Sequence, residues 1–159
     1  MELLILRHGK AEDFSPEGDA ARRLVEKGRR RARGMAEMLA RMDRLPELAL
    51  TSPRTRARET ADMFCEAARI RAPIVEPWLD CGMTPERALR ELVAYRDFGR
   101  LMIVGHEPDF SALIESLLGA PGGRVECKKG ALAGLEIRPP SITGVLRFLI
   151  PPAAGEGSS

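Results

Sequence analysis

Only two histidines and three cysteines occur among the 159 residues. Cys65, Cys81 and Cys127 lie far apart and show no CxxC spacing. They therefore indicate neither a zinc motif nor a disulfide framework. Three free thiols suit a reducing compartment. Aromatics are scarce: one Trp, one Tyr and five Phe leave no ladder on which bases could stack. No stretch approaches the roughly 20 apolar residues that span a bilayer. The N-terminus shows no basic segment followed by a long apolar run, so no signal peptide is read there. The expected compartment is the cytoplasm, with no membrane partner. A net charge of +2 names no partner class.

What is present is a soluble composition, 44% hydrophobic and 30% charged, long enough for one domain with a real core. Residues 1–150 read as that domain. Residues 151–159, rich in Pro, Ala, Gly and Ser, read as a frayed tail. No internal repeat is visible.

Apolar periodicity alternates between strand and helix. Residues 3–6 are a continuous apolar run, the mark of a buried strand. A polar loop follows to about residue 19. From there to about residue 44 a 3.6 period (Leu24, Val25, Gly28, Ala32, Met35, Ala36, Leu39) predicts an amphipathic helix. Residues 48–50 predict a second strand. Ser52-Pro53 reads as an N-cap with proline at the first helical position. That helix should run to about residue 69, burying Ala57, Ala61, Phe64 and Ala68. Residues 74–75 and 101–104 predict short strands, with a Thr84-Pro85 helix start between them. Asp109 is placed to cap a helix over Phe110, Leu113, Ile114 and Leu117, stopped by Gly119. Residues 131–137 and 145–150 lack a crossover helix and should pair antiparallel. The expected fold class is α/β: a three-layer α/β/α sandwich, mostly parallel, with a late antiparallel edge strand.

The two histidines fall at equivalent places. Arg7-His8-Gly9 ends the first apolar run, and Gly105-His106 ends the run at 101–104. In open α/β sheets ligands bind outside the carboxyl ends of strands. Gly9 lets the chain turn and lets a ligand approach closely. The helix after Ser52 offers free backbone N–H groups to an anion. Arg56 lies one turn in, with Thr60 on the same face. Arg7 and Arg56 can each fork onto a phosphate, and His106 can donate a further hydrogen bond. His8 is then the candidate nucleophile, because a neutral imidazole attacks phosphorus and nearby guanidinium charge favours the neutral form. Arginines in these positions stabilise the charge of a phosphoryl transition state, so the chemistry requires no metal and no cofactor.

The three motifs together, Arg7-His8-Gly9, Ser52-x-x-x-Arg56-Ala57-x-x-Thr60 and Val104-Gly105-His106, resemble the histidine phosphatase superfamily. The wider sequences Arg7-His8-Gly9-Lys10-Ala11-Glu12 and Gly105-His106-Glu107-Pro108 are similar to its SixA-type phosphohistidine phosphatase branch. The resemblance covers nearly the whole chain. It implies a phosphoglycerate mutase-like fold, His8 as the phosphorylated group, and Arg7, Arg56 and His106 as the phosphate pocket, with Gly9 and Ser52 beside it. The branch often carries Arg-Pro-Leu-Thr before the glycine of its first helix. Here Arg23-Leu24-Val25 departs from that pattern.

No residue matches the carboxylate that larger members use to protonate an alcohol. Asp80, Glu107 and Asp109 are candidates by position. A phosphohistidine substrate tolerates a weak acid, because imidazole, with a conjugate-acid pKa of roughly 6.5, leaves readily. The short stretch between Arg56 and His106 leaves no room for a cap, which suits a side chain on a folded protein. The expected activity is therefore hydrolysis of phosphohistidine on a protein partner, with phosphate or vanadate as site ligands. A small-molecule phosphomonoesterase or mutase and a non-catalytic phosphate-binding module are the alternatives. The arginines at 22, 23, 29, 30, 31 and 33 read as a solvated face, not as a nucleic-acid patch. Cys81 is placed near the mouth of the site.

Overall fold

The computed structural model describes residues 1–156. Six strands form one sheet in the order β3-β2-β4-β1-β5-β6. They are β1 (Glu2–Arg7), β2 (Leu48–Thr51), β3 (Ile74–Val75), β4 (Arg100–Gly105), β5 (Leu132–Ile137) and β6 (Gly144–Ile150). β1, β2, β3 and β4 are mutually parallel. β5 runs antiparallel to both β1 and β6, so the reversed strand lies one place in from the edge.

The four helices are α1 (Glu26–Arg41), α2 (Thr55–Ala68), α3 (Pro85–Leu92) and α4 (Asp109–Leu118). Alternation along the strands sends side chains to opposite faces. Leu4, Leu6, Ala49, Met102 and Val104 meet Met35 and Leu39 of α1 and Ala57, Ala61 and Phe64 of α2. Leu3, Ile5, Leu50, Leu101 and Ile103 meet Ala88 and Leu92 of α3 and Phe110, Leu113 and Ile114 of α4. Each fully buried Leu or Phe contributes about 1.5–3 kcal/mol of transfer free energy. The result is the expected α/β/α sandwich.

Three expectations change at element ends. α1 begins at Glu26, not near residue 19. Asp19–Ala21 form a separate 3-10 turn, Leu24 bridges Ala11, and Leu24 N–H goes to Glu59 at 2.7 Å. Ser52 does not cap α2: the helix starts at Thr55, its N-cap is the extended Arg54, and no side chain caps it. Asp109 is the first residue of α4 rather than its cap, because its carboxylate accepts from Gly82 and Met83 N–H (2.8 and 3.1 Å). The Thr84 cap does form, accepting from Arg87 N–H.

The tail also departs from expectation. Pro152–Gly155 form a 3-10 turn with Pro152 and Gly155 buried. The turn lies against α1, where a Cβ on Gly34 would fall 1.6 Å from Gly155 O. Two glycines thus allow backbone-to-backbone contact that a composition reading misses. Arg31 Nε donates to Glu156 at 2.9 Å. Residues 157–159 of that expected tail lie outside the described residues.

Candidate active site

The C-terminal ends of β1, β2 and β4 converge on one notch. His8 N–H donates to Gly105 O (3.0 Å) and Ser52 N–H to Val104 O (3.0 Å). The His8 and His106 rings therefore stand 5.3 Å apart, centroid to centroid. Both are buried, together with Ser52 and Arg56.

His8 Nδ1 lies 2.8 Å from Gly9 O. A carbonyl only accepts, so Nδ1 carries the proton and Nε2 keeps its lone pair. Arg56 Nε donates to that Nε2 over 3.3 Å. Burial lowers the His8 pKa to about 3, and the charges of His106, Arg56 and Arg7 push the same way. The ring is thus neutral at ordinary pH. His106 is lowered to about 4, first by burial and then by Arg56 and Arg54. Its Nε2 is 2.7 Å from Ser52 Oγ. Its Nδ1 is buried without a partner among the described residues, as is Arg7 Nε.

Arg7 is anchored through Nη1 to Cys127 O at 2.8 Å. An orphaned buried guanidinium N–H and an orphaned imidazole nitrogen beside a neutral nucleophilic ring form a cradle suited to an oxyanion.

Gly9 is an organiser of this cradle. Its N–H is taken by Thr60 Oγ1 at 3.0 Å, and Thr60 in turn donates to Arg56 O at 2.7 Å. A Cβ on Gly9 would lie 3.2 Å from the Gly28 backbone, and one on Gly28 would lie 2.3 Å from Lys10 O. The start of α1 therefore presses directly on the loop that carries His8.

The sequence reading missed Asp19. Its carboxylate pairs with Arg54 Nη1 at 2.5 Å, Arg56 Nη2 at 3.2 Å and Arg22 Nη1 at 2.8 Å. Its carbonyl accepts from Arg56 Nη1 at 3.0 Å. These contacts hold its pKa down at about 2, with the Arg22 hydrogen bond as the largest cause. No local pattern marks its place at the site, since Arg54 and Arg56 lie 35 and 37 positions away.

The three candidate acids are all engaged. Asp80 Oδ1 accepts from Arg54 Nε at 2.6 Å and from Cys81 N–H at 2.7 Å. Its pKa is lowered by the Arg54 hydrogen bond, against a larger opposing effect of burial. Glu107 Oε1 and Oε2 bind Ser111 N–H (3.0 Å) and Oγ (2.5 Å). Asp109 holds Gly82 and Met83, as above. Cys81 is exposed at the rim, 3.9 Å from Arg56 Nη2.

Elsewhere, a cavity of about 620 Å³ lined by Met1, Glu2, Arg44 and Phe98 sits at the opposite strand ends. Within it Arg44 pairs with Glu2 at 3.0 Å and Arg147 with Glu136, and no histidine, cysteine or serine lines it. Four arginines of α1 pair with acids: Arg29 with Glu59, Arg30 and Arg31 with Glu156, and Arg33 with Glu26. Among the described residues no helix is long and apolar enough to cross a membrane.

Known proteins share this fold. An uncharacterized protein of Picosynechococcus sp. is 33% identical over 145 residues, 85% of this chain and 84% of its own. The protein histidine phosphatase SixA complexed with tungstate superposes with a TM-score of 0.86, 24% identity and coverage of 96% and 98% of the two chains. An Agrobacterium tumefaciens protein assigned as a SixA phosphohistidine phosphatase gives 0.79, 26% identity and 94% and 96% coverage. The alpha-ribazole phosphatase of Shigella flexneri gives 0.77, 20% identity and 96% and 97% coverage. The fold is the phosphoglycerate mutase-like fold of these neighbours. Residues 3–83 match the histidine phosphatase superfamily, branch 1, and the chain belongs to that superfamily, whose members are phosphatases.

Proposed function

We propose that this protein hydrolyses phosphohistidine on a protein partner through a covalent phospho-His8 intermediate. The observation that carries the reading is the state of the carboxylates around His8. Asp19 and Asp80 are held ionised by arginines, and Glu107 and Asp109 are spent on backbone N–H groups. An alcohol leaving group needs a protonated acid within reach. An imidazole leaving group, basic near pKa 6.5, takes its proton from solvent. The likeness to SixA supports the same substrate class. Phosphate, vanadate or tungstate would occupy the cradle.

In this reading His8 Nε2 attacks phosphorus as the P–N bond to the substrate histidine breaks. Arg7 and Arg56 hold the equatorial oxygens, and His106 supplies a further hydrogen bond. Water then attacks phospho-His8, releasing inorganic phosphate and restoring the free ring. The likeness to alpha-ribazole phosphatase favours one second reading, a small-molecule phosphomonoesterase using the same nucleophile.

Rapid-quench intact-mass analysis with a phosphohistidine peptide tests the first reading. The expected result is one acid-labile phosphoryl group on His8, absent from His8→Ala, with phosphate released in EDTA. Turnover of phosphomonoesters but not of the peptide would establish the second reading. Glu107→Gln should leave peptide turnover within about threefold; a loss of 10²-fold or more, the scale of general-acid catalysis, would overturn the acid-independent route.

A further inference from the structure

The rim of the pocket carries three side chains of metal-binding type. One ligand atom from each of Asp80, Cys81 and His106 lies within 4.8 Å of the others. Cys81 is exposed. Asp80 takes both its hydrogen bonds on Oδ1, which leaves Oδ2 for a cation. His106 is 3% exposed and its Nδ1 has no partner among the described residues. Carboxylate, thiolate and imidazole together are a zinc-type donor set, and three protein ligands leave a fourth position for water.

We propose that Asp80, Cys81 and His106 bind a borderline-soft divalent cation, zinc in particular, and that its binding closes the phosphate pocket. The closure, unlike the binding, rests on the phosphatase reading above.

Zinc–ligand bonds of about 2.0–2.3 Å require the donors to draw in by about 1 Å. Cys81 is exposed, so rotation of its side chain between rotamers can supply much of that movement. Binding follows Zn²⁺ + Cys81–SH → Cys81–S–Zn⁺ + H⁺, so the site gains one net positive charge. Arg54 and Arg56 oppose that charge, and Asp80 and Asp19 offset it. The expected affinity is therefore micromolar, weaker than four-ligand structural zinc. A cation on His106 removes that ring from the oxyanion cradle. The CxxC-type patterns of sequence analysis miss such a site, because its ligands come from two separate loops.

The test uses the whole protein and Co²⁺ as the optical probe. Wild type should show thiolate-to-cobalt charge-transfer absorption, displaced by one equivalent of Zn²⁺. Cys81→Ser, which alters a rim residue that no step of phosphoryl transfer uses, should lose the band while keeping its melting temperature. Cys65 and Cys127 are buried and cannot substitute. No band in wild type, or a band retained in Cys81→Ser, overturns the site. Zn²⁺ should also inhibit phosphohistidine turnover, reversibly with EDTA and at least tenfold less in Cys81→Ser. A band without inhibition of an active enzyme overturns the closure. A band on a protein that turns over no phosphorylated substrate supports the site and rejects the phosphatase reading instead.

Discussion

Arg56 Nε points its N–H at His8 Nε2 across 3.3 Å. The guanidinium that would bind a phosphoryl oxygen thus already sits on the lone pair that would attack phosphorus, and Asp19 holds it there from behind through its carbonyl and its carboxylate. Arg56→Ala should lower kcat/KM by about 10²–10³-fold, the scale of losing one preorganised donor. Arg56→Lys should recover little, because an ammonium cannot present the same planar fork. Steady-state kinetics with a phosphohistidine peptide reads both.

Stability should fall in mild acid. His8 titrates at about 3 and His106 at about 4 in the folded protein, both depressed first by burial. An unfolded histidine titrates near 6.5. Between those values the unfolded chain binds more protons, so the stability present above about pH 6.5 is lost progressively as pH falls towards 4 and then 3. Calorimetric melting temperatures should drop across that window, and less steeply in a His8→Asn, His106→Asn double variant. Protonation of His8 itself should not slow turnover between about pH 8 and 5.

Asp19 tests whether positioning matters. Removing its carboxylate frees Arg54 and Arg56 from one shared anchor. Asp19→Ala should lower kcat/KM by about tenfold while shifting stability by under about 1 kcal/mol, as expected for a half-exposed ion pair. Asp19→Asn keeps an acceptor on the same stem and should restore part of the loss. Equal kinetics in all three proteins would remove Asp19 from the site.

Gly34 tests the C-terminal turn. A methyl there meets Gly155 O at 1.6 Å, so the turn must detach or the helix must shift. Gly34→Ala should cost about 1–3 kcal/mol despite alanine's better helix propensity. Denaturant unfolding measures the cost, and limited proteolysis should then cut after Ile150.

Much of the fold was legible beforehand. β1, β4 and α4 follow from continuous or periodic apolar runs, and the Thr84-Pro85 start of α3 from its cap chemistry. His8 and His106 were expected together because both end buried parallel strands, and adjacent register brings Arg7 beside Gly105. Polar side chains with two possible partners were not legible. Ser52 reads as a helix cap, but its Oγ meets His106 Nε2 and accepts from Arg54 N–H ahead of α2. Asp109 could cap α4 or hold the turn at Gly82, and it holds the turn.

Sequence by itself determined the alternation of strands and helices, the two core faces and the placement of Arg7, His8, Arg56 and His106 at strand or helix ends. These follow from backbone period and apolar spacing, which act over a few residues. Tertiary structure alone decided the tautomer of His8, the Asp19 anchor on Arg56, the commitment of each candidate acid, the meeting of Asp80 and Cys81 with His106, and the docking of Gly155 on Gly34. Each of these joins groups distant in sequence or chooses among competing polar partners, so each depends on distances and directions that exist only once the sheet and its helices have packed.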